Sequence, residues 1–143
     1  MTIYPLAEFL IDLPDDAVED EDDIVVFPGR ALAEVIAEIL GRLGYRVTPP
    51  DYAHELGWEL SAYAGRRRVW LRVTQIFVGE AILLTEELPT LFQRLFRRKD
   101  SIHAKLLSEL HREMSADPRF QQIRWLSGHD HLGVPAYEPV RAD

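Results

Sequence analysis

Two stretches of the chain alternate between apolar and polar positions with a period of two. They are Gly57–Tyr63 and Arg67–Ile76, with Ala64-Gly65 between them. Side chains alternate across a strand, so each stretch reads as a half-buried strand and the pair as an antiparallel hairpin. Pairing Tyr63 with Arg66 sets Leu60 opposite Val69 and Trp58 opposite Leu71. One face then collects Trp58, Leu60, Ala62, Val69, Leu71 and Val73. The other collects Glu59, Ser61, Tyr63, Arg66, Arg68, Trp70, Arg72 and Thr74. A slip of one residue would bury the arginines, so the pattern selects this set of faces. A third strand, Ala81–Thr85, follows the connection at Phe77–Glu80. Extending the same pairing predicts Ile82 and Leu84 in the core, with Ala81 and Leu83 beside Thr74 and Ile76 on the second face. That face is mixed rather than simply polar, and it calls for a cover: another segment of this chain or a partner protein.

Three other stretches follow a helical period. Leu32, Val35, Ile36, Ile39, Leu40 and Leu43 form a full stripe over residues 31–43, with Gly44 placed to end the helix. Pro89 opens a second helix over 89–98, with Leu91, Phe92, Leu95 and Phe96 on its apolar side and Arg94, Arg97, Arg98 and Lys99 toward its end. A third covers 101–115, with Ile102, Leu106, Leu110 and Met114 on one stripe and Asp100 or Ser101 as its cap. Short strands are predicted at Ile24–Phe27, Tyr45–Thr48 and Gln121–Leu126. Leu6, Phe9, Leu10 and Leu13 match helical spacing, so Ile3–Leu13 reads as a short helix or strand. The fold class is therefore α+β: two layers, an antiparallel meander on residues 57–85 with helices on one face. The chain divides into an acidic segment 1–23, a single domain 24–126 and an irregular tail 127–143.

Charge sharpens this picture. Residues 1–23 hold nine of the 24 acidic residues and none of the 16 basic ones; the remaining 120 residues hold 15 acidic and 16 basic. The net charge of −8 thus sits at one end. The run Asp15, Asp16, Glu19, Asp20, Glu21, Asp22 and Asp23 reads as a solvated loop or a docking surface. It lacks the spaced ligands and central glycine of a calcium loop. With no cysteine, the chain has no disulfide and no thiolate metal site. No apolar run approaches membrane-spanning length and no basic leader opens the sequence, so the expected compartment is the cytoplasm and no membrane partner is expected.

Candidate chemistry is sparse. His129-Asp130-His131 has metal-like spacing, with His54 as a further donor, but reads as a polar loop. Pro28-Gly29 lacks the glycines and the Lys-Ser/Thr pair of a phosphate loop. None of the five serines sits in a nucleophile elbow, and Glu86-Glu87 reads as a strand end that caps a following helix. No catalytic residue, cofactor or metal is expected. In size, lack of cysteine, lack of a catalytic constellation and acidic residues offset from an α+β body, the chain resembles small acidic bacterial immunity proteins, which neutralise a toxin by binding it. That resemblance implies a non-enzymatic binder of another, basic protein. The expected contact residues are Glu59, Tyr63, Arg68, Trp70 and Arg72 on the sheet, with Asp20, Glu21, Asp22 and Asp23 steering the partner. The alternatives are a nucleic-acid binder, with arginines on phosphates and aromatics on bases, and an enzyme of unrecognised type.

Overall fold

A computed structural model describes residues 1–89, 101–129 and 131–141. Its centre is an antiparallel sheet of seven strands. The strands are β1 (Leu6–Ile11), β4 (Arg46–Val47), β5 (Asp51–Tyr52), β6 (Trp58–Ala64), β7 (Arg67–Phe77), β8 (Glu80–Leu88) and β9 (Phe120–Leu126). Their order is β4-β6-β7-β8-β1-β9, with β5 also on β6. A separate ribbon joins β2 (Val18–Asp20) to β3 (Asp23–Val26). Two helices, α1 (Arg30–Arg42) and α2 (His103–Ala116), lie on one face of the sheet and share its core. This is the expected two-layer α+β arrangement. Apart from Pro89, the helix expected at 89–98 lies outside the described residues.

The β6–β7 hairpin keeps the predicted faces with a different register. Its turn is Gly65-Arg66, Ala64 pairs with Arg67, and Leu60 sits opposite Leu71. Gly65 has φ +61°, as the first loop residue of a type II′ hairpin requires. Relative to the expected pairing, the partner strand is displaced by two residues, which preserves alternation. Trp58, Leu60, Ala62, Val69, Leu71 and Val73 are all buried.

β8 departs from expectation. Gln75 pairs with Ala81 but Phe77 pairs with Glu80, so Ile76 is an extra residue on β7. Such a bulge reverses the parity of the strand that follows. Ala81, Leu83 and Thr85 therefore enter the core, while Ile82 and Leu84 lie on the second face, half-buried.

The N-terminal segment is a strand, not a helix. β1 lies between β8 and β9, and Ala7, Phe9 and Ile11 are its buried positions. The acidic run is more ordered than a loop: it forms the β2–β3 hairpin, with Asp20 opposite Asp23 and Glu21 at φ +55°. Asp16 has a structural task. Its two carboxylate oxygens accept from the backbone amides of Gly29 and Ala31, at 2.8 and 2.7 Å, and satisfy the first turn of α1. Gly29 offers no side chain for this role, and carboxylate caps of this kind contribute about 1 kcal/mol. At α2 the cap comes from β8. Glu87 accepts from the Ile102 amide (2.8 Å) and the Ser101 hydroxyl (2.7 Å), and Ser101 in turn accepts from the His103 amide. The tail returns to the sheet, where the Val140 amide donates to the Ile3 carbonyl at 2.8 Å.

Candidate functional site

Strand parity brings five of the nine predicted contact residues together. On the second face Tyr63 pairs with Arg68, Ser61 with Trp70 and Glu59 with Arg72. Both helices pack on the opposite side, so no described helix covers this surface. Trp70 is half-buried, and the Arg72 guanidinium lies 5.5 Å from the centre of its ring. Arg46 sits 4.3 Å over the Tyr63 ring. Arg68 donates from Nε to Ser61 Oγ at 2.8 Å. These contacts hold the three arginines against neighbouring side chains of the same sheet face. Arg72 Nε is itself buried and has no hydrogen-bond partner among the described residues, a cost of about 1–3 kcal/mol in the free chain. Beside Trp70, across β8, a cleft of about 400 Å³ opens between Pro5, Leu84, Glu86 and Tyr137.

Asp20, Glu21, Asp22 and Asp23 are not part of this surface. Their hairpin flanks the other end of β7. There Asp15, Glu19 and Ile24 face Thr74, Ile76 and Val78 across a groove of about 470 Å³. No local pattern reports this groove, because residues 15–28 and 74–78 meet only through the fold. The one local sign of its apolar half is the uninterrupted apolar run Ile76-Phe77-Val78.

The titratable groups with chemistry in reach are structural. Thr85 donates its hydroxyl proton to the Pro5 carbonyl at 2.9 Å, so the 2.8 Å contact to His103 Nε2 requires the ring to supply the other proton. His103 is thus a donor locked to β8, not a base facing a nucleophile. Burial lowers its pKa, against the pull of Glu87. His111 Nδ1 accepts from Trp125 Nε1 at 3.0 Å, which demands a neutral ring, and burial lowers its pKa as well. Tyr45 is pushed up to about 12 by burial and by Glu109, which accepts its hydroxyl at 3.3 Å.

The histidine shifts set a pH dependence. Both folded pKa values lie below the ordinary 6.5. Above that value both states are neutral and stability is complete; below it the unfolded chain takes up protons that the folded one resists. The melting temperature is expected to fall on acidification from about pH 7.5 to about pH 5.5, measured by circular dichroism. His103→Gln keeps a donor for Thr85 and should shallow the slope. An identical slope in that variant would remove His103 as a source.

Among the described residues, no three His, Cys, Asp or Glu side chains gather as a metal site, and no helix is long and apolar enough to cross a membrane. His129 pairs its backbone with Pro135, while Asp130 lies outside the described residues. No protein-family model, curated protein or solved structure matches the chain. The functional reading therefore rests on the geometry.

Proposed function

We propose that this chain is a non-enzymatic module that binds another, basic protein, in the manner of an immunity-type inhibitor. The observation that carries this reading is the Trp70–Arg72 stack, on a sheet face with no described helix over it. Trp, Tyr and Arg supply most of the binding energy at protein interfaces, and a stack already in place loses little entropy on docking. The neighbouring carboxylates Glu59 and Glu86 weigh against a phosphate backbone on the same surface. The acidic hairpin supplies a field that raises the association rate of a cationic partner and weakens with salt.

The test is retention of a basic protein by the tagged full chain, followed by a measured affinity. Trp70→Ala is expected to weaken binding by about tenfold or more while leaving the circular dichroism spectrum intact, as suits a half-buried anchor. Equal affinity in wild type and Trp70→Ala would remove this face from the interface.

A further inference from the structure

We infer that the groove between the acidic hairpin and the bulged end of β7 is a second docking site, and that it receives a cationic amphipathic segment of the protein partner. The inference rests on the protein-binding reading above and assigns it a surface away from Trp70.

The bulge creates the apolar half of the groove. Ile76 has no partner across the β7–β8 pairing, and the strand ends in a turn at Val78-Gly79 rather than under a helix. Phe77 is consequently 68% exposed and Val78 80%. The facing ribbon exposes Val18, Ile24 and Val25, and the adjoining 3₁₀ turn exposes Leu56. Thus four of the ten large apolar side chains exposed among the described residues, Ile24, Ile76, Phe77 and Val78, line this one groove. Scattered exposed apolar residues need no explanation, but a concentration of them marks an interaction surface.

Charge selects the occupant. Asp15, Glu19 and Glu55 line the groove, and no lysine or arginine lines it among the described residues. The hairpin tip adds Asp20 to Asp23, all exposed. A nucleic acid or an anionic lipid surface would be repelled. A segment with an apolar side and Lys or Arg on its flanks satisfies both halves: its apolar side chains cover Ile76 and Phe77 while its cations meet Asp15, Glu19 and Glu55. Among the described residues the β2–β3 ribbon is joined to no other strand, which leaves its outer backbone as a further contact for the same segment.

The test uses the full chain and a short fluorescein-labelled peptide of lysine and leucine in amphipathic order, read by anisotropy. Two control peptides replace lysine by glutamate, or leucine by serine. The lysine–leucine peptide is expected to bind, and both controls to bind at least about tenfold more weakly. The double variant Phe77→Ser, Val78→Ser should weaken binding about tenfold; both positions are exposed, so the fold is retained. Glu19→Gln with Glu55→Gln, also at exposed positions, should weaken binding and flatten its salt dependence. Trp70→Ala should leave peptide affinity unchanged. Equal affinity for the glutamate or serine peptide, or unchanged affinity in both groove variants, overturns the groove as a cationic amphipathic site. If Trp70→Ala still releases the protein partner in that case, the protein-binding reading stands and only the groove falls. If neither surface matters, both fall. Self-association that vanishes in the Phe77→Ser, Val78→Ser variant would assign the groove to a second copy of the chain and overturn the inference.

Discussion

Gly57→Ala is expected to destabilise the protein by about 3–5 kcal/mol, enough to unfold most small domains at room temperature. Gly57 ends the 3₁₀ turn and starts β6 with φ +103° and ψ −128°, backbone angles that glycine adopts and L side chains rarely do. Space is the second constraint. A Cβ at this position would lie 2.1 Å from the Val73 carbonyl oxygen and 3.1 Å from Thr74 Cα. Both are backbone atoms of β7 in the middle of the sheet, so neither can rotate away as a side-chain end could. Relief requires β6 and β7 to separate where Trp58 pairs with Val73. The matched control is Gly44→Ala. Gly44 has φ +100° but, among the described residues beyond its chain neighbours, no atom within 4 Å of an added Cβ. It should cost only the backbone strain, about 1–2 kcal/mol. Urea unfolding of the two variants separates the terms. Equal midpoints would show that the contact with Val73 relaxes freely and that strain alone sets the cost.

The elements legible from sequence are those whose pattern is complete within one segment. The α1 stripe from Leu32 to Leu40 has one periodicity and one reading, and every expected member up to Leu40 is buried. The β6 and β7 faces were legible for the same reason. Their register was not, because Gly65 can serve either loop position, and a displacement of two leaves the faces unchanged. β1 was ambiguous because its second-face positions include the half-buried apolar residues Leu6 and Leu10 rather than polar ones alone. Leu6, Ala7, Phe9, Leu10 and Ile11 therefore satisfy both periods. The candidate site divides the same way. Tyr63, Arg68, Trp70 and Arg72 share a face through strand parity alone. The Asp16 cap and the hairpin groove depend on contacts more than a dozen residues apart, and no local pattern reports those.

Leu83→Ala is expected to cost about 2–5 kcal/mol, and Leu84→Ala about 1 kcal/mol or less. The adjacent leucines are chemically identical, and simple alternation from β7 assigns their burial the wrong way round. The extra residue at Ile76 inverts the assignment. Leu83 is fully buried opposite Val73, within the core that α1 and α2 close. Truncating it removes the transfer energy of the lost carbons and leaves a cavity that tightly packed neighbours fill only in part. Leu84 pairs with Arg72 on the second face and lines the cleft beside Trp70, where water replaces the lost atoms. Denaturant unfolding of both variants measures the difference directly. A larger loss for Leu84 would mean that β7 reaches its turn without the bulge. Ala81 and Leu83 would then lie beside Ile76 on the second face, and the apolar half of the hairpin groove would lose the geometry that exposes it.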